Sequence, residues 1–227
     1  TLTDGESLTL RIALHALLDS LPSLHRDREK IVLLMKKLSP VLEKSVPRGS
    51  IEVSQSHDSS ILATSALKGS LIGAGAEAVT YVNAPALAEE KGMSASVSTE
   101  ADSPFYRSMI SLHAAFADGK SVTVDGTLMG IGMVEKIIAI NGFDLDLPPT
   151  ENLIFLQYGD KPGVVGIVGN ILGKAGLNIA GMQVSRREIG GMALMALTVD
   201  DAVSESILEE VKQTTGADLA RTVNLEK

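Results

Sequence analysis

The sequence predicts an α+β protein with two domains, and three observations support this. The chain has 227 residues, about one and a half times the roughly 150 residues of a typical domain. Apolar residues recur every three to four positions in some segments and every second position in others, which are the periods of helices and strands. The segment Asp146-Leu147-Pro148-Pro149-Thr150 follows neither period and is typical of a connector between domains. We therefore expect a helical lead-in over residues 1–46, a first domain over 47–147 and a second over 152–227.

The connector between the two domains contains two prolines, Pro148 and Pro149. Neither a helical nor a strand period runs through these five residues. The two prolines favour an extended backbone, which suits a link between separately folded parts.

Composition and charge narrow the classes of function. Hydrophobic residues make up 44% of the chain, which is enough to form a core. The 28 acidic residues outnumber the 20 basic ones, for a net charge of −8, and aromatic residues make up only 3%. We therefore expect neither nucleic acid nor an anionic membrane surface as a partner. The absence of cysteine excludes disulfides and thiolate metal sites and fits a reducing compartment, so we expect a cytoplasmic protein.

The longest apolar stretch does not predict a membrane span. It runs over residues 61–79 and is interrupted by Lys68 and Glu77, so it lacks the 18 or so apolar residues that a spanning helix needs. The chain begins at Thr1 without a methionine, and we expect it to be a fragment of a longer protein.

The first domain mixes helical and strand periods. Residues 7–18 and 27–45 have helical spacing, although the first of these segments also alternates like a strand. A strand around Ile51 is followed by helices over 59–71 and 83–91, and Gly92 ends the second of them. Alternation over 94–99, 109–116 and 121–127 predicts a small antiparallel sheet with a tight turn at 117–120. We predict a short helix over 134–141 that Gly142 stops.

The second domain divides into six elements in the order βαββαβ, which is the ferredoxin-like split arrangement. Gly190 and Gly191 supply the turn between its second and third strands, and Gly216 ends its last helix. The predicted elements are strands over 152–158, 178–187, 192–199 and 218–225, a helix after Pro162, and a helix over 203–214.

The connection between the first strand and first helix of this domain has the chemistry of an amino-acid site. The backbone N–H groups of Gly163, Val164 and Val165 lie in the first turn of the helix, where unpaired donors and the helix dipole favour a carboxylate. Asp160 can accept from an ammonium or hydroxyl group, and Asn178 can donate and accept. The alternative is that Asp160 only caps the helix and Asn178 only forms a turn; the pattern favours neither reading.

Other motifs do not indicate catalysis or metal binding. Residues 73–78 match the relaxed dinucleotide fingerprint GxGxxA, but a helical segment precedes them where the fingerprint requires a strand. His57 and Asp58 lie among serines without a nucleophile elbow, so we interpret them as a polar turn. No two of the four histidines have the spacing that places two ligands on one helix face. We expect no catalytic residue and no metal site in this chain.

Several motifs resemble a known family. Tyr158-Gly-Asp-Lys-Pro-Gly-Val-Val, with Gly176-Leu-Asn-Ile-Ala-Gly-Met-Gln, resembles the signature of ACT domains, specifically the one in D-3-phosphoglycerate dehydrogenases. Four segments upstream resemble the intervening, allosteric-substrate-binding domain of the longer bacterial and plant type of that enzyme: 81–85, 103–107, 125–130 and 134–142. The resemblance covers about residues 47–227 and matches residues 1–46 only loosely.

The resemblance implies a regulatory part of an oxidoreductase. In that family the enzyme oxidises 3-phosphoglycerate with NAD in L-serine biosynthesis, and L-serine inhibits it by binding at paired ACT domains. Tyr158, Asp160 and Asn178 match the serine-contacting positions of the motif. Nothing here matches the catalytic and NAD-binding residues, so the resemblance implies no cofactor in this chain, with L-serine as ligand and self-association through both domains.

Alternatives remain open at this point. Intervening domains of the family can bind anions, and Lys136, Arg107 and Lys68 are the candidate residues here, although basic residues present in some members are missing after Asn141. The chain could instead be a stand-alone amino-acid-sensing or assembly module. Iron-sulfur L-serine dehydratases have a related two-domain arrangement, but they need cluster cysteines in their catalytic part.

Overall fold

The computed structural model describes most of the chain from residue 49 onward. The described residues are 49–55, 61–73, 76, 78–99, 106, 109–116, 121–129 and 134–224. The predicted helices over 7–18 and 27–45 and the predicted turn at 117–120 lie outside these residues.

The described elements form two sheets with two helices each. The helices are α1 (Ile61–Gly73), α2 (Ala84–Glu90), α3 (Val164–Lys174) and α4 (Glu205–Thr215). The strands are β1 (Gly49–Gln55), β2 (Met93–Thr99), β3 (Met109–Phe116), β4 (Ser121–Met129), β5 (Val134–Ile140), β6 (Phe143–Leu147), β7 (Asn152–Gly159), β8 (Ile179–Arg186), β9 (Met192–Val199) and β10 (Leu219–Asn224). The six-stranded sheet has the order β2-β1-β3-β4-β5-β6, and the four-stranded sheet has the order β10-β7-β9-β8.

The six-stranded sheet is antiparallel except for one pair. Strands β1 and β2 are parallel, and α1 and α2 lie between them in the chain, as a parallel connection requires. From β3 to β6 each strand pairs antiparallel with the next. The predicted three-stranded sheet is therefore part of a larger one.

The prediction of a helix over 134–141 is wrong, because Val134–Ile140 forms strand β5. Val134, Ile137 and Ile138 fit a helical spacing, but the run of β-branched residues also suits a strand buried between β4 and β6. Asn141 and Gly142 have φ angles of 49° and 73°, and Ile140 pairs with Phe143. These values are typical of a two-residue type I′ hairpin turn, for which Asn-Gly is the preferred sequence.

The four-stranded sheet confirms the predicted α+β fold with a ferredoxin-like second domain. All six predicted elements of residues 152–227 are present, and their boundaries differ from the predicted ones by a few residues. The strand order places the first and third strands of the domain in the centre and leaves β8 and β10 at the edges. This order is that of the split βαββαβ arrangement.

Both faces of the four-stranded sheet are covered. On one face, Leu156 and Met195 belong to a buried cluster with α3 and α4. On the other face, Phe155 and Leu194 belong to a cluster shared with the six-stranded sheet, whose last strand contributes Leu145. The two domains therefore share a hydrophobic core. No helix in the described part of the chain is long and apolar enough to cross a membrane.

Candidate functional site

The loop between β7 and α3 presents unpaired backbone donors next to a carboxylate. Gly163 is the N-terminal cap of α3 and has a φ of 94°, a left-handed conformation that glycine adopts without strain. The first N–H groups of a helix have no partner within it, and the described first turn contains no acidic residue. The start of α3, with Val164 buried and Val165 half exposed, can therefore accept a carboxylate.

Asp160 does not cap this helix, so that alternative is wrong: no side chain forms a capping hydrogen bond at Gly163. Instead, Arg186 Nη1 donates to Asp160 Oδ2 at 2.8 Å, and the Gly190 N–H lies 3.5 Å from the same oxygen. The Arg186 hydrogen bond is the main cause that holds the pKa of Asp160 below its usual value of 3.8. Asp160 is therefore a carboxylate at neutral pH and can bind an ammonium group.

Tyr158 lies beneath this loop. Its side chain is buried among the residues that face α3 and α4. Burial, and secondarily the charge of Asp160, raises the pKa of the Tyr158 hydroxyl above 10.0. The hydroxyl therefore keeps its proton at neutral pH.

Asn178 lies at the opposite end of the same sheet. Its Nδ2 donates to Asp200 Oδ2 at 2.7 Å, and its carbonyl accepts from the Asp200 N–H at 3.2 Å. Asp160 follows Gly159, which pairs with Met192 at the start of β9. Asn178 precedes Ile179, which pairs with Val199 at the end of β9. Because β9 has eight residues between these two ends, they are about 23 Å apart at the rise of a strand. One protomer therefore does not bring Asp160 and Asn178 together.

The three predicted anion-binding residues are not assembled in the described structure. Lys136 Nζ forms an ion pair with Asp146 at 2.6 Å, on the face of the six-stranded sheet that carries the exposed residues of β6. Lys68 is on α1, which packs on the other face, and its Nζ lies 4.2 Å from the centre of the Tyr81 ring. Arg107 lies outside the described residues.

The remaining motifs show no catalytic arrangement in the described part. Gly73 is the last residue of α1, so a helix precedes the glycine-rich segment and the described residues do not fit a dinucleotide. His113 Nδ1 lies 3.0 Å from Thr123 Oγ1. Within the described ranges no three His, Cys, Asp or Glu side chains could hold a metal ion. His57 and Asp58 lie outside these ranges.

Sequence reasoning missed two arginines. Arg186 binds Asp160, and Arg187 donates from Nη2 to the carbonyl of Asn141 in the first domain. Two adjacent arginines at the end of a predicted strand were a visible signal, since neighbouring side chains on a strand point to opposite faces. Their partners could not be read from the pattern.

Comparisons with known proteins identify both domains. The family model of the ACT domain matches residues 152–216, so the fold and the loop described above are those of an ACT domain. The family model of the D-3-phosphoglycerate dehydrogenase intervening domain matches residues 49–141. The chain belongs to the D-3-phosphoglycerate dehydrogenase family, of which it carries the regulatory intervening and ACT domains.

Relatives from three different bacteria agree with this assignment. The chain is 37% identical to the D-3-phosphoglycerate dehydrogenase of Mycobacterium leprae over 86% of its own length and 37% of the relative's. For the enzyme of Synechocystis the identity is 34%, over 72% of the chain and 29% of the relative. For that of Bacillus subtilis it is 39%, over 59% and 25%. The chain therefore spans 25–37% of the length of these relatives.

Proposed function

We propose that this chain senses L-serine for feedback inhibition of a D-3-phosphoglycerate dehydrogenase. The whole enzyme would be a cytoplasmic oxidoreductase that oxidises 3-phosphoglycerate with NAD, with catalysis and NAD binding outside this chain. The proposal rests on the family of both domains and on the amino-acid chemistry of the loop between β7 and α3.

One observation supports this ligand site: Asp160 and Asn178 lie at opposite ends of the edge strand β8. Among the described strands only β9 pairs with β8, so the other edge of β8 has backbone groups free for pairing. Two β8 strands that pair antiparallel about a two-fold axis place the start of one beside the end of the other. Asn178 of one protomer then lies beside the Asp160 loop of its partner.

The bound amino acid would lie between two protomers. Its carboxylate would bind the backbone N–H groups of Gly163, Val164 and Val165, and its ammonium or hydroxyl group would bind Asp160 and Asn178. Binding that bridges two protomers favours one arrangement of the oligomer. A coupling of about 1 to 3 kcal/mol between this site and the active site of the whole enzyme is sufficient for regulation.

Calorimetric titration of the chain with L-serine tests the proposal, after light scattering has established the oligomer. We expect saturable binding that is selective for L-serine over glycine, D-serine and 3-phosphoglycerate. Asn178→Ala is expected to weaken binding without unfolding the chain, and Lys212→Ala on α4 is the control for removal of one polar side chain. A confirmed dimer that does not bind L-serine would refute the proposal.

A mixing experiment tests whether two protomers share the site. Asp160→Asn and Asn178→Ala should each abolish or weaken binding alone, because every site in either homodimer lacks one group. When the two variants are unfolded together and refolded, half of the dimers are mixed and each has one intact site, so roughly a quarter of the sites should recover. No recovery in a mixture shown to contain mixed dimers would contradict a shared site.

A further inference from the structure

Two adjacent arginines, Arg186 at the end of β8 and Arg187 after it, contact both domains. Arg186 bonds to Asp160 in the loop of the candidate site. Arg187 follows the last residue of β8 and donates to the carbonyl of Asn141 in the intervening domain. A single dipeptide therefore contacts the ligand loop on one side and the intervening domain on the other.

Arg187 contacts the turn at Asn141 and Gly142, which several other interactions hold in place. The Asn141 N–H donates to the Thr123 carbonyl at 2.8 Å, and Asn141 Oδ1 accepts from the Thr123 N–H at 2.9 Å. The guanidinium of Arg187 lies 4.8 Å from the centre of the buried Phe143 ring, within the range of a cation–π interaction. A shift of Arg187 therefore acts on a turn that is also hydrogen-bonded to β4.

A second bond links the same strand to the same hairpin. The Asp146 N–H donates to Gln183 Oε1 at 2.8 Å. Gln183 lies on β8, and Arg187 is the residue that follows β8. The intervening domain is thus attached at two points, one within β8 and one at the residue after it.

We propose that Arg186 and Arg187 couple occupancy of Asp160 to the turn at Asn141 and Gly142. In the free chain Arg186 takes the position at Asp160 that a ligand's ammonium group would take, so the two cations compete for one carboxylate. When the ammonium displaces Arg186, the end of β8 loses its bond to the ligand loop, and Arg187 transmits the change to the turn. The role of the ligand rests on the proposed function, whereas the link between Asp160 and the turn does not.

Hydrogen exchange in the full chain, without ligand, tests the link. Asp160→Asn removes the charge that holds Arg186, and we expect amide exchange at Gly142 and Phe143 to rise by roughly threefold or more. In an Arg187→Gln background, Asp160→Asn should leave exchange at these amides unchanged. Lys212→Gln is the control, because it removes a positive charge on α4 without touching either contact.

Two results would overturn the proposal. One is an unchanged turn in Asp160→Asn; the other is an equal response in the Arg187→Gln background. If Arg187→Gln does not fold, Arg187→Lys keeps the charge but loses the planar donor fork, and a full response in that variant would likewise overturn it.

L-Serine provides a separate arm of the experiment. We expect saturating L-serine to change exchange at the turn in the unmodified chain and not in Arg187→Gln, while Arg187→Gln still binds L-serine. Binding without any change at the turn overturns the coupling. Failure of the unmodified chain to bind L-serine refutes the proposed function alone, because the ligand-free arm still decides the link.

Discussion

The two sheets of the molecule differ in how many faces they bury. The four-stranded ACT sheet is covered by α3 and α4 on one face and by the intervening domain on the other, and its central strand β9 is buried at seven of eight positions. The last strand of the six-stranded sheet instead alternates between buried and exposed residues. An unbroken apolar run thus marks a strand covered on both faces, and alternation marks one exposed face.

The largest effect is expected from truncating either face of the ACT sheet. Phe155 and Leu156 are neighbours on β7, face opposite sides and are both fully buried. We expect Phe155→Ala to lower the free energy of unfolding by about 3 to 5 kcal/mol and Leu156→Ala by about 2 to 5 kcal/mol. Thr123→Ala, on the polar face of the other sheet, should cost about 1 kcal/mol or less.

Urea unfolding of the three variants measures these differences. If Phe155→Ala were as mild as Thr123→Ala, the contact between the ACT sheet and the intervening domain would contribute little, and the comparison of the two sheets would fail.

A smaller effect is expected at the hairpin that joins the two regions. Gly142 has a φ of 73°, and a Cβ there would lie 3.1 Å from Arg187 Nη2. Gly142→Ala should therefore cost about 1 to 2 kcal/mol for the left-handed backbone, and more for the displaced Arg187 contact. Gly176→Ala is the matched control, since its φ is 76° and no atom lies within 4 Å of its Cβ. Equal losses of stability in thermal unfolding would show that the Arg187 contact adds nothing.

The second domain was predicted well because its patterns are local. Each helix and strand there has a clear period, and Gly190 and Gly216 mark turns that have positive φ angles. The first domain was harder, because Val134–Ile140 fits both periods. Asn141-Gly142 was the stronger signal and indicated a hairpin.

The sequence predicted which residues belong to the candidate site, but it did not predict where they lie relative to one another. Asp160 follows the end of β7 and Asn178 follows the turn at Gly176, and both were predicted to contact one ligand. In a βαβ unit, however, the helix returns the chain to the starting end of the sheet, so the end of the first strand and the start of the second lie at opposite ends. The contact of Arg187 with Asn141 joins residues 46 positions apart in different domains, and no local pattern indicates such a contact.

The smallest effect is expected from a carboxylate on the polar side of the intervening sheet. Ser111 Oγ donates to Asp125 Oδ1 at 2.5 Å, but burial outweighs this bond and raises the pKa of Asp125 above 3.8. The folded chain then binds more protons than the unfolded chain, so this residue makes stability fall as pH rises from 3.8 through the folded pKa. Asp125→Asn removes that loss. Its effect on the free energy of unfolding should therefore be more favourable at pH 7 than below pH 3.8, by about 0.5 kcal/mol or less.

Thermal unfolding of Asp125→Asn and the unmodified chain between pH 3 and pH 7 measures this difference. Ser111→Ala is the opposing variant: it removes the hydrogen bond that lowers the pKa of Asp125, so it should destabilise the chain more at pH 7 than at pH 3. If Asp125→Asn instead lost stability as the pH rose, Asp125 would be stabilised as a carboxylate. The polar side of the six-stranded sheet would then favour the ionised form of a carboxyl group, as the loop at Asp160 does through Arg186.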